Sequence, residues 1–254
     1  MRRLTTGLVA VGLLATSAVP AAAQEASPPP WFAGRVEMPE HGFAWTLPDG
    51  WIGFDSAADI EAQIDAAFAA ADNETIVSEA TVRRNLVEAS DGGAQLIAGD
   101  LALGVCAISV TPSGLNLDEV EEAVVPPLRS AAGVLGFDGP TRVELPAGPA
   151  VAVSFSSPVE GYPGVMTTHS TYLVVGEGHI GIIACGAADA AAYEWRSRAE
   201  TFEFIPRRYE RPDVAVAISY PLGWSVTSFA PGEDYGAMLS GIGDGGMCNL
   251  SDVT

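Results

Sequence analysis

The chain has 254 residues, 48% of them hydrophobic, and 32 acidic residues outweigh 12 basic ones, all Arg, for a formal charge of −20. The apolar fraction supports a packed core and excludes a disordered polymer, and Gly and Pro follow no collagen-like period. A field of this sign repels phosphate backbones and anionic bilayers, which excludes nucleic acid as a partner.

Residues 1–23 read as a cleavable secretory signal. Arg2 and Arg3 open it, an apolar run follows from Leu8 to Val19, and Ala21, Ala22 and Ala23 supply the small residues for cleavage between Ala23 and Gln24. The run is too short for a membrane anchor, and no later stretch approaches ~18 consecutive apolar residues. The mature chain is therefore expected to be secreted or periplasmic, with no membrane insertion after cleavage. Residues 24–37 read as a flexible leader stiffened by Pro28, Pro29 and Pro30.

Phe43, Trp45 and Leu47 alternate with small or polar residues, Pro48-Asp49-Gly50 is turn chemistry, and Trp51 to Phe54 resumes the alternation. This predicts a hairpin or bent strand pair over 42–54. Ser56 is placed to cap a helix whose face carries Ile60, Ile64 and Phe68, and a more polar helix is expected over 79–88. Strands follow at 94–98 and 103–110. Asp118 with Glu121 has capping-box spacing, ahead of a helix that turns Val120, Val124 and Leu128 inward. Pro126-Pro127 is expected to kink that helix or divide it.

Strands return at 141–145, 149–156 and 167–175, and Gly176-Glu177-Gly178 turns the chain into 179–185. A last helix, capped by Asp189, puts Ala191, Trp195, Ala199 and Phe202 on one face. Short connections after 141 favour antiparallel pairing. The fold class is α+β: an antiparallel sheet covered by helices (an α/β/α sandwich), followed by an incomplete second copy.

That copy is read from two matches. Phe43-Ala-Trp45-Thr-Leu47-Pro48 through Gly50-Trp51 is echoed by Val216-Ala-Ile218-Ser-Tyr220-Pro221 through Gly223-Trp224, at a shift of 173 residues. Gly99, Gly104, Cys106 and Ser109 are echoed by Gly241, Gly246, Cys248 and Ser251, at a shift of 142. The second copy therefore lacks the helical insert of the first, and the chain divides into 38–206, one α+β domain, and 207–254, a partial repeat. A piece so small buries too little surface to fold alone, so either it docks on the first domain or, the favoured expectation, the chain is a fragment of a longer two-domain protein.

Three cysteines in an exported chain leave one over. Cys106 and Cys185 sit in apolar strand segments; an oxidising compartment favours a disulfide between them if those strands lie close, and two buried free thiols are the alternative. Cys248 matches Cys106 by the repeat, and its partner is expected in the part of the second copy beyond Thr254.

Chemistry-bearing patterns are few. His41, His169 and His179 fall in no metal-ligand spacing, no D-x-D-x-D-G loop is present, and Asp118, Glu119, Glu121 and Glu122 suit a helix N-terminus. No metal or cofactor is expected. His169 and His179 lie on neighbouring strands where they could face each other, but the favoured expectation is two partly exposed strand histidines. Trp45, Trp51 and Trp195 fit core positions, whereas Trp31 and Tyr162 are candidates for an exposed contact surface.

The pieces F-x-W-x-L-P-D-G-W (43–51), G-V-C-A-I-S-V (104–110), L-D-E-V-E-E-A (117–123), L-P-A-G-P-A-V-A-V-S-F (145–155), T-Y-L-V-V (171–175) and W-x-x-R-A-E-T-F-E-F (195–204) resemble, in this order, the PsbP-like α/β/α family. The resemblance implies a small, non-enzymatic domain that binds partners, and it assigns no ligand or catalytic residue. The leading expectation is an exported, non-catalytic binding or accessory domain acting on a protein or small molecule. The alternatives are a hydrolase, which requires a pocket holding His169 or His179 beside a serine and a carboxylate, and a structural envelope component.

Overall fold

A computed structural model describes residues 31–70, 79–100, 104–131, 133–158, 164–188, 194–211, 216–221, 223–228, 237–241 and 247–250. The signal segment with its Ala23–Gln24 cleavage point, Tyr162, Asp189 and Ala191 lie outside these residues. In chain order come β1 (Arg35–Met38), β2 (Phe43–Thr46), β3 (Ile52–Asp55), α1 (Ile60–Ala70), α2 (Glu79–Asp91), β4 (Leu96–Gly99) and β5 (Gly104–Pro112). Then follow α3 (Leu117–Ser130), β6 (Leu135–Leu145), β7 (Gly148–Pro158), β8 (Met166–Gly176), β9 (His179–Ala187), α4 (Trp195–Ala199) and β10 (Phe202–Phe204). Five strands close the series: β11 (Arg207–Arg211), β12 (Val216–Tyr220), β13 (Trp224–Ser228), β14 (Ala237–Gly241) and β15 (Met247–Leu250).

The fold is α+β, built on a seven-stranded antiparallel sheet of order β3-β4-β5-β9-β8-β7-β6. Two meanders, β3-β4-β5 and β6 to β9, join where β5 pairs with β9. Strict alternation sorts the side chains of each strand between two faces. One face turns Leu96, Ala98, Cys106, Ile108, Tyr172, Ile183 and Cys185 toward β1, β2, β10 and α4, which contribute Val36, Phe43, Trp45, Trp195 and Phe202. There the Trp45 indole N–H donates to the Arg198 carbonyl at 2.9 Å, and Trp51 packs edge-on against both Trp45 and Trp195.

The opposite face is covered at its two ends. Ile64, Ala67 and Leu86 of α1 and α2 pack on Phe54 and Ile97, while Val120 and Val125 of α3 pack on Val151, Val153 and Leu173.

Several local expectations need correction. Residues 42–54 are not one hairpin: β2 joins the three-stranded sheet β1-β2-β10 and β3 the large one, so the Pro48–Gly50 turn carries the chain between layers. Arg35, Val36 and Glu37, read as the end of the leader, belong with Met38 to a strand that pairs with β2 and buries Val36 and Met38. Ser56 does not cap α1, because its hydroxyl donates to the Ala94 carbonyl; the cap is Asp59, whose carboxylate accepts from the Ala62 amide at 3.0 Å. The box on α3 is Asn116 with Glu119 rather than Asp118 with Glu121. Asn116 accepts from the amides of Asp118 and Glu119, leaving Leu117 free to enter the core as the first helical residue.

Pro126 and Pro127 do not divide α3, since Leu117–Ser130 is one helix containing both. Both prolines are exposed, so water can reach the two carbonyls that lose an amide partner, while Val124, Val125 and Leu128 hold the helix down. Finally, α4 spans only Trp195–Ala199, and Phe202 lies in β10 opposite Trp45 rather than on a helix.

Candidate functional site

Because α2 and α3 cover the two ends of one sheet face, the strands between them are left open. The result is a cleft of about 620 Å³, within the range of small-molecule sites. Its floor is apolar and low, made by Val105 and Ala107 of β5, Ala184 and Gly186 of β9, and Leu173 of β8. Arg84, Asn85, Glu88 and Ala89 of α2 form one wall, and Val124 and Leu128 of α3 the other.

Ser157, Thr167 and His169 gather near one end of the floor, and Thr171 follows beside Ala184. Ser157 on β7 and His169 on β8 lie two positions apart across the ladder, where Phe155 pairs with His169 and Ser157 with Thr167. Their side chains point to the same face, and Ser157 Oγ lies 2.8 Å from His169 Nε2. The imidazole stacks on Phe155, with ring centroids 4.8 Å apart and planes at 18°. Phe155 stacks in turn on Phe137 of β6, which carries the Arg129 guanidinium 4.9 Å from its centroid. On the other side Gly186, paired with His169 across β8 and β9, has no side chain to displace the ring. Burial pushes the His169 pKa below the usual histidine value, so the ring is neutral at pH 7.

Glu88 lines the same cleft but sits 3.9 Å from Arg84 Nε, one turn away on α2. The pocket thus places a serine against a histidine, with a carboxylate on the facing wall that is engaged elsewhere. Ser157, Glu88 and Gly186 were not singled out from the sequence. The alternation of 155 and 157 against 167 and 169 becomes a signal only once the register of the hairpin is known.

The two strand histidines do not face each other. His169 pairs with Gly186 and His179 with Gly176, at opposite ends of the β8–β9 ladder and on opposite faces of the sheet. His179 is 1% exposed, and its Nε2 is buried with no hydrogen-bond partner among the described residues. Trp31 is not an exposed contact, since it packs half-buried against the α1–α2 cluster. Asp118 and Glu121 converge on Arg142, at 2.6 and 3.0 Å, which accounts for them as surface ion pairs. Among the described residues no cluster of three potential metal ligands occurs, and no helix is long and apolar enough to cross a membrane. Cys106 and Cys185 are directly opposed across β5 and β9, with Sγ atoms 1.99 Å apart and Cα atoms 4.0 Å apart.

No protein-family model matches the chain, and no curated protein sequence matches it. Among solved structures it is similar to cyanobacterial PsbP (CyanoP) from Synechocystis sp. PCC 6803, at 10% identity and a TM-score of 0.39, over 69% of this chain and 93% of that one. It is also similar to a protein from Bacteroides thetaiotaomicron VPI-5482, at 13% identity and a TM-score of 0.39, over 79% of this chain. The match covers 55% of that protein's chain, about half its length.

Proposed function

We propose that the chain is an exported binding or accessory domain that holds a small, largely apolar ligand in the cleft between α2 and α3. The observation that carries this reading is the cleft itself: a mostly apolar floor, with Ser157, Thr167 and His169 gathered near one end and the polar α2 side chains Arg84, Asn85 and Glu88 along one wall. A ligand with an apolar body and one uncharged polar group fits that distribution, because its body removes floor surface from water while its head meets His169 and Ser157. The overall charge of −20 disfavours polyanionic ligands.

Titration with the neutral fluorophore N-phenyl-1-naphthylamine tests the reading. Saturable binding is expected, and Ala184→Phe, which fills the floor, is expected to weaken it at least tenfold while the circular dichroism spectrum is kept. Binding that Ala184→Phe leaves unchanged overturns it.

Export rests on the signal-like residues 1–23, and an exported protein whose N-terminal sequence starts at Gln24 is the expected outcome. For the domain division at 206, support comes from strand register. β11 pairs with β12 as Arg208 opposite Ser219 and Arg211 opposite Val216, which is the β1–β2 pairing displaced by 173 residues. The meander β13-β14-β15 likewise repeats the order of β3-β4-β5, one residue out of the shifted register.

A further inference from the structure

We infer that Ser157 and His169 form a nucleophile–base pair that takes the acyl group of a small ester held in the cleft, an activity beyond binding alone. Separation comes first: 2.8 Å between Oγ and Nε2 is within the reach required for proton transfer. Protonation state is the second requirement. Burial keeps the imidazole neutral, and in its Nδ1–H tautomer Nε2 accepts the Oγ proton.

Orientation is the third. The ring is held between Phe155 and the bare backbone of Gly186, so Nε2 cannot swing away from Ser157 without losing the stack. Packing here takes the part that a hydrogen-bonded carboxylate takes in a triad. Lastly, the apolar floor has the character to take an acyl chain, and a chain seated on it with its carbonyl toward the polar end presents that carbonyl to Ser157.

The step is an ordinary acyl transfer. Ser157 Oγ bonds to the carbonyl carbon, the carbon–alkoxy bond breaks, and the Oγ proton passes through Nε2 to the departing alkoxide. Water then attacks the acyl-serine with the same base, releasing a carboxylic acid and restoring the serine. Among the described residues no carboxylate contacts His169, so both halves pass through an imidazolium without that support and both are expected to be slow. An activated ester such as a p-nitrophenyl ester speeds only the first half, through its good leaving group, so the acyl-serine is expected to accumulate.

Incubation of the full chain with p-nitrophenyl butyrate, followed by intact-mass measurement and peptide mapping, tests the inference. All basic residues being Arg, no lysine competes for the acyl group. One butyryl group on Ser157 is expected, absent in Ser157→Ala and formed at least about 10²-fold more slowly in His169→Asn. No adduct on Ser157, or p-nitrophenol release undiminished in Ser157→Ala, overturns it. N-phenyl-1-naphthylamine binding is measured on the same samples. Bound probe without an adduct overturns acyl transfer and leaves the cleft reading standing, whereas failure of the probe to bind counts against the cleft.

Discussion

A Cβ built on Gly186 would sit 2.9 Å from His169 Nδ1, so the imidazole occupies space that any other residue at 186 would claim. The backbone there is ordinary strand, and the ring is the main obstacle. Gly186→Ala is expected to push the ring off Phe155, at about 1–2 kcal/mol of stability, and to separate Nε2 from Ser157. Urea unfolding reads the first effect and butyryl labelling of Ser157 the second; a variant that keeps both at the wild-type level contradicts this account of the ring.

Much of the frame was legible beforehand. Val105 to Val110 alternates as the strand it becomes, and Ile60, Ile64 and Phe68 turn to one side of α1 as their spacing requires. What escaped was relational. Nothing local in Ser157 or His169 says that β7 and β8 pair with Phe155 opposite His169, and a shift of one residue would place the two side chains on opposite faces. The α3 cap was misplaced because Asn116 and Asp118 both begin acceptable boxes; the choice was made by Leu117, which had to reach the core.

That cap gives a sharp comparison. Asn116→Ala is expected to cost about 1 kcal/mol, since two amides of the first turn lose their acceptor. Asp118→Asn removes an exposed ion pair with Arg142 and one negative charge from the first turn but no capping acceptor, and is expected to cost about 0.5 kcal/mol, less than Asn116→Ala. Denaturant midpoints of the two variants decide it, and equal losses would contradict the assignment.

Burial holds His179 below the usual histidine value, with the Arg207 charge adding to the same direction and the Glu177 carbonyl opposing it. His41 and His169 are lowered as well. Between the folded pKa and the unfolded value of about 6.5 the unfolded chain binds more protons, so this contribution is complete above ~6.5 and is lost as pH falls. The charge of −20 acts in opposition, because acidification relieves repulsion. The difference between wild type and His179→Leu isolates the histidine: urea midpoints from pH 7.5 to 5 should fall more steeply with acid in the wild type. Parallel curves would show that His179 protonation does not matter.

Cys106 and Cys185 are separated by 79 residues, and a bond between them closes a loop whose entropy is worth about 4.5 kcal/mol to the folded state. Alkylation of the oxidised protein is expected to spare both until a reductant is added, and reduction is expected to lower stability by about 2–4 kcal/mol. Three thiols open to alkylation without reductant would remove the bond from the account.

Cys106 and Cys185 also stand at the seam where the two meanders of the large sheet meet, facing the core layer. The reverse side of those strands carries Val105, Ala107, Ala184 and Gly186, the middle of the cleft floor. A bond there acts as a keel beneath the site: it keeps one half of the floor from sliding past the other without touching anything bound above. On the proposed reading, joining the two sulfurs is expected to stiffen the floor, so the reduced protein should release a cleft-bound probe faster than the oxidised one.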